Sequence, residues 1–180
     1  MTTLKIPLTS QDHVQGSPQA PIQLVEYGDY ECPYCGQAYL VVKALQRALG
    51  DDLLFAFRNF PLTQVHPRAF PAACAAEAAG LQEAFWPMHD VLYENQQALE
   101  DEDFLAYATE IGLDVAQFAK DMVSEPVAER VRADFLSGAR SGVNGTPTFF
   151  VNGHRYDGSW QPGVFLAFLN ELRAGSELRR

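Results

Sequence analysis

The chain has 180 residues, 47% of them apolar, enough to bury one substantial core and a small inserted subdomain. Its 13 Lys and Arg against 23 Asp and Glu leave a net charge of -10, which argues against attraction to nucleic acid or to anionic lipid. No stretch approaches the ~18 apolar residues of a membrane span, and three cysteines are too few for a structural disulfide framework.

In chain order, residues 1–20 are polar, carry Gly16 and Pro18, and read as an irregular or edge segment. They lack the charged and apolar regions of a signal peptide, so the chain as written is expected to be cytoplasmic; a trimmed leader would make it periplasmic or otherwise extracytoplasmic. Residues 22–27 read as a strand apolar on both faces, Ile22 and Leu24 on one and Val25 and Tyr27 on the other, as in a central strand covered on both sides. Glu26 shares the Ile22 and Leu24 face.

Cys32-Pro33-Tyr34-Cys35 stands where this strand gives way to an amphipathic helix marked by Ala38, Val41, Val42, Leu45, Ala48 and Leu49 and stopped at Gly50. Thiols three residues apart on a helix fall within the roughly 4.4–6.8 Å Cα separation that a disulfide tolerates. With Cys32 as N-cap, Pro33 takes the first helical position, where its missing N–H costs nothing. The Cys32 sulfur then faces free N–H groups at the positive end of the helix dipole, which favours thiolate over thiol. Such placement brings a thiol pKa from about 8.5 into the range of roughly 3.5–7.5. Cys32 is the expected nucleophile and Cys35, one turn inward, the resolving thiol. Tyr34, between them, is expected to tune the potential. A structural zinc would need four ligands, and a second Cys-x-x-Cys or a His-x-x-x-His is absent, so no metal is expected.

Residues 53–60 form a second strand, rich in Phe and ended by Pro61. Strand character is then lost over residues 66–140, which read as short helices. Pro67 opens the first and Gly80 closes it; Phe85, Met88, His89 and Leu92 mark the second; Phe104, Leu105, Ala108 and Ile111 mark the third, closed by Gly112. Asp114 with Gln117 resembles a capping box for a fourth, and Val127, Val131 and Phe135 stripe a fifth. Strand signal returns at residues 148–151, and Asn152-Gly153 predicts a type I′ hairpin turn into residues 154–157. A last helix is expected over residues 162–173. The order is β-α-β, a helical block, then β-β-α, with the cysteine turn at a strand C-terminus, where open α/β sheets place their sites.

These features together resemble the DsbA-like branch of the thioredoxin superfamily. The resemblance rests on Val25-Glu26-Tyr27 leading to Glu31-Cys32-Pro33-Tyr34-Cys35, Arg58-Asn59-Phe60-Pro61-Leu62 with His66-Pro67, Phe85-Trp86-Met88-His89, and the run from Gly142 through Thr146-Pro147 to Gly153. It implies an α/β thioredoxin fold with an inserted all-helical subdomain. Residues 15–64 and 141–175 would form the core and residues 65–140 the insertion. It also implies that Thr146-Pro147 is a cis-proline pair beside the active-site disulfide, with Thr146 near the reactive sulfur. Glu26, six residues before Cys32, falls where related oxidoreductases carry a buried acid that could take the Cys35 proton; the alternative is an acid reaching solvent at the strand end.

The expected activity is thiol-disulfide exchange with protein or peptide substrates, recycled by a redox partner or glutathione, with no metal or organic cofactor and no nucleic-acid or membrane partner. A glutathione-dependent transferase or isomerase of the same fold is one alternative, against which Cys35 argues. A redox-silent peptide-binding chaperone module is the other. Asp29 and Glu31 put negative charge near the motif, which would oppose the Cys32 thiolate if they face it and make the pair less oxidising than the strongest DsbA members. Cys74 is expected to be a buried inert thiol, His89 a hydrogen-bonded core residue, and His66 a turn residue without a role in the chemistry.

Overall fold

The computed structural model describes residues 2–177. Short apolar runs, buried on both faces in β2, β3 and β4, build a five-stranded sheet from β1 (His13–Gln15), β2 (Ile22–Gly28), β3 (Leu53–Asn59), β4 (Thr148–Val151) and β5 (His154–Tyr156). The spatial order is β1-β3-β2-β4-β5, so β2 is central, as its two apolar faces predict. It pairs in parallel with β3 and antiparallel with β4, which sets Glu26 between Phe57 and Phe149. Ile22 and Leu24 enter one buried cluster with Phe55 and Phe57, and Val25 and Tyr27 enter another with Ala56, Phe60 and Phe150. The polar N-terminal segment supplies β1, an antiparallel edge strand on β3.

Helix α1 (Pro33–Leu49) crosses from β2 to β3 and buries Ala38, Val41, Val42, Leu45 and Leu49. It stops at Gly50, whose φ of 52° is the left-handed conformation that glycine adopts without a Cβ penalty. Between β3 and β4 run five helices: α2 (Ala69–Gly80), α3 (Phe85–Glu94), α4 (Asp101–Glu110), α5 (Val115–Met122) and α6 (Glu125–Arg140). The alanines of α2 are buried on nearly every side, and Cys74 is buried among them. After β5, α7 (Pro162–Glu177) packs Phe165 and Leu169 into the larger cluster.

Boundaries differ from expectation by one residue at the ends of β2 and β3, which reach Gly28 and Asn59, and at three further places. α2 starts at Ala69 because the Ala69 N–H closes a turn on the His66 carbonyl first. β5 ends at Tyr156, where the Asp157 carboxylate accepts from Arg155 Nε at 2.8 Å. α7 continues past Arg173 to Glu177, with Arg173 Nη1 reaching Asp52 at 2.9 Å. Asp114 does cap α5, accepting from the Gln117 N–H, but the Gln117 amide turns away to Asp121 rather than back to the cap.

Candidate active site

The first turn of α1 holds Cys32 at the N-cap, with φ −70° and ψ 122°, and Pro33 at the first helical position. The Cys32 carbonyl accepts the first helical bond from Gly36 N–H, and the Cys32 N–H donates back to the Asp29 carbonyl, 3.2 Å away. Both thiols are free. Cys32 keeps 4% of its surface exposed and Cys35 none, so an incoming sulfur can reach only the first.

The environment pushes the two thiols apart. Cys32 is lowered to about 5, chiefly by the hydrogen bond from Cys35; burial opposes this, and Thr146 and the N–H groups of Cys35 and Tyr34 assist. Cys35 is raised well above the usual thiol value by burial, by donating its S–H in a hydrogen bond to Cys32, and by the charges of Glu26 and Cys32. Tyr34, between the two cysteines, is 63% exposed.

Opposite the helix, the Thr146–Pro147 peptide bond is cis. The Cys32 Sγ lies 3.6 Å from the Thr146 carbonyl, so its thiol form donates there. The Thr146 hydroxyl is buried with no hydrogen-bond partner among the described residues and favours the charged form of either sulfur. Glu26 is 2% exposed, so it does not reach solvent, and its Oε1 also has no partner among the described residues. Burial, with the Cys32 charge in addition, raises its carboxyl to about 8. A neutral acid therefore stands beneath a thiolate and a thiol.

Two further parts of the site are not legible in the sequence. Gln96, just beyond α3, donates from Nε2 to the Tyr30 and Cys32 carbonyls, each at 2.9 Å, and so pins the turn that carries the nucleophile. Gly36 makes room for it, since a Cβ there would overlap the Gln96 side-chain oxygen. The second part is the pair Asp29 and His66. Neither Asp29 nor Glu31 presents a bare carboxylate to Cys32: Asp29 bonds His66 and accepts from backbone N–H groups, and Glu31 Oε2 accepts from Arg68 N–H at 2.6 Å. His89 is buried, bonded through Nδ1 to Tyr30 Oη at 2.9 Å, and held well below the usual imidazole value by burial, as a core histidine should be.

The sheet order, the helices placed between β3 and β4, and the dithiol at the head of α1 define a thioredoxin fold of the DsbA-like kind. The chain belongs to the family described as Thioredoxin, whose model matches residues 8–171. A thioredoxin-like oxidoreductase from Silicibacter pomeroyi DSS-3 superposes with a TM-score of 0.81 at 27% identity, covering 92% of this chain and 94% of that one. Alpha-DsbA1 of Wolbachia pipientis shares the fold, with a TM-score of 0.83, 19% identity, and 98% and 97% of the two chains covered. Among curated proteins, a Na(+)/H(+) antiporter NhaA 1 of Salinispora arenicola (strain CNS-205) is 46% identical over 171 residues, 94% of this chain and 26% of that protein. The corresponding protein of Mycobacterium sp. (strain KMS) is 44% identical over 167 residues, 92% of this chain and 27% of its own length. The chain thus spans about a quarter of the length of these relatives. Among the described residues, no helix is long and apolar enough to cross a membrane.

Proposed function

We propose that the protein exchanges disulfides with protein or peptide thiols through Cys32 and Cys35. The observation that carries this is the asymmetry of the pair: an accessible sulfur biased toward thiolate stands next to a buried sulfur biased toward thiol. In the oxidising direction a substrate thiolate attacks Cys32 Sγ. The Cys32–Cys35 bond breaks, its electron pair goes to Cys35 Sγ, and Glu26, neutral below about pH 8, supplies the proton. A second substrate thiolate then attacks the substrate sulfur of the mixed disulfide and releases Cys32 as thiolate. The substrate loses two electrons and the dithiol gains them; the reverse sequence reduces a substrate disulfide.

An extended substrate segment fits beside the Thr146–Pro147 loop, where added-strand pairing would be tolerant of sequence. A shallow pocket of about 300 Å³ formed by Tyr34, Gln37, Gly158, Ser159, Trp160 and Gln161 borders the motif and would take one of its side chains. Residues 15–64 and 141–175 serve in this reading as the catalytic core, and residues 65–140 as the insertion that covers it. Glutathione or a protein dithiol would recycle the pair.

The test is equilibration against glutathione redox buffers, with thiol trapping read by intact mass. A Cys32–Cys35 disulfide is expected, with a midpoint near about −270 mV marking a reductant and one near about −120 mV an oxidant. Cys35→Ser is expected to accumulate a mixed disulfide at Cys32. Absence of an intramolecular disulfide at every ratio of oxidised to reduced glutathione would overturn the assignment.

A further inference from the structure

The turn between β2 and α1 is held from below by a single carboxylate. Asp29 is 1% exposed, and its Oδ1 accepts from the N–H groups of Glu31 at 2.8 Å and Cys32 at 3.2 Å. Its Oδ2 accepts from the Leu62 N–H at 2.9 Å and bonds His66 Nδ1 at 2.8 Å. The His66 N–H in turn donates to the Leu62 carbonyl, which ties the loop after β3 to the turn before α1. A buried carboxylate so close to the nucleophile opposes a thiolate unless a cation offsets it. His66, its side chain 20% exposed, can supply that cation and exchange its proton with solvent.

The groups that face His66 are Asp29, Glu31 and Cys32, all acidic. Burial disfavours its imidazolium, and the Asp29 hydrogen bond with the charges of Asp29, Cys32 and Glu31 outweighs that, leaving His66 above the usual imidazole value. Arg68, two residues on, turns its guanidinium to the Leu99 carbonyl and to Asp101, and only its backbone N–H meets Glu31.

We propose that Asp29 and His66 form a charge-compensating pair that positions the Cys32 turn and couples the dithiol equilibrium to the His66 proton. Protonated His66 offsets Asp29 and lets Cys32 carry its charge; loss of that proton leaves two negative groups on one turn. The disulfide carries no charge, so only the reduced state feels the difference. Protonated His66 therefore stabilises the reduced protein and makes the disulfide the stronger oxidant. His66 acts through Asp29 and Cys32 and is a positioning residue. The inference rests on the disulfide-exchange reading for its redox consequence alone.

Linkage supplies a test on the unaltered chain, because a proton that favours the thiolate must itself be held more tightly when the thiolate is present. The His66 ring is followed by NMR titration in the oxidised and reduced protein, with His66→Gln used to assign its signal. The expected result is a dissociation constant about fivefold or more lower in the reduced protein; equal constants in the two states overturn the proposal. Thiolate absorbance of Cys32 gives a second arm, independent of disulfide formation. Relative to the unaltered chain, His66→Gln is expected to lower the thiolate fraction at pH 5 about threefold, and adding Asp29→Asn to restore it. Variants that lower thermal stability but leave the Cys32 titration in place would show a structural role only and overturn the pair. Failure of the protein to form any disulfide removes the redox reading, while the absorbance arm still decides the charge pairing.

Discussion

At the residue scale, Glu26 carries the clearest pH dependence. An unfolded chain releases a Glu proton near about 4.3, whereas burial holds the folded carboxyl to about 8. Between those values the unfolded state has lost its proton and the folded state has kept it, so this residue's effect on stability grows more unfavourable as pH rises through the window and levels off above about 8. Glu26→Gln keeps the shape and removes the titration. In the reduced protein the variant is expected to match the parent at pH 4 and to exceed its stability by on the order of 3 kcal/mol at pH 7. Urea denaturation at the two pH values checks this, and a constant difference between them would show that Glu26 is already ionised in the fold. The same substitution removes the proton donor, so opening of the Cys32–Cys35 disulfide by a substrate thiolate should slow below pH 8 although the variant is the more stable protein.

At the scale of elements, α1 and Gln96 form one unit. Alanine in place of a helical glycine is ordinarily favourable by roughly 0.5–1 kcal/mol, since glycine loses more freedom on folding. Gly36 should reverse that sign, because its Cβ would expel the Gln96 amide from the carbonyls of Tyr30 and Cys32, each bond contributing about 1 kcal/mol. Gly36→Ala is therefore expected to destabilise the parent and to stabilise the Gln96→Ala variant, a change of sign that a double-mutant cycle by chemical denaturation would display. Gain of stability in both backgrounds would mean that Gln96 does not occupy the space. The sequence could reveal half of this unit. Pro33, the apolar stripe from Ala38 to Leu49 and Gly50 lie in one continuous segment, and local backbone preference marks them. Asn152 and Gly153, with φ of 48° and 80°, are legible as a turn for the same reason. Gln96 meets Cys32 across 64 positions, and His66 meets Asp29 across 37; no periodicity or capping pattern announces either contact. A charge count taken from Asp29 and Glu31 alone is therefore incomplete, since the Leu62 N–H, the His66 ring and the Arg68 N–H that meet these carboxylates come from distant positions.

At the scale of the whole molecule, a buried polar cluster fastens the inserted helices to the sheet. Asn59 ends β3 and donates from Nδ2 to Glu77 Oε1 at 2.7 Å and to Asp134 Oδ2 at 3.0 Å, and its N–H donates to the same Asp134 oxygen. Those acids belong to α2 and α6, and each also meets a basic side chain: Glu77 Oε2 is 2.8 Å from His13 Nε2, and Asp134 Oδ1 is 2.8 Å from Arg130 Nη1. Burial raises the Asp134 carboxyl to about 6, and the Arg130 charge and the Asn59 donors restrain the shift. Removing the amide leaves two desolvated carboxyls short of donors, a cost of roughly 3–5 kcal/mol. Asn59→Ala should therefore lower the denaturation midpoint sharply at pH 7 and less at pH 4, where protonated Asp134 no longer needs both donors. The Cys32 titration should be unchanged, because this cluster lies among β3, α2 and α6 and, among the described residues, shares no hydrogen bond with the turn that Asp29 and Gln96 hold. Hydrogen exchange would show where the loss falls: faster exchange confined to α2 and α6 means that the cluster anchors the insertion locally. Exchange that quickens equally across β2 and β4 would instead make sheet and insertion one cooperative unit, with Asn59 at its joint.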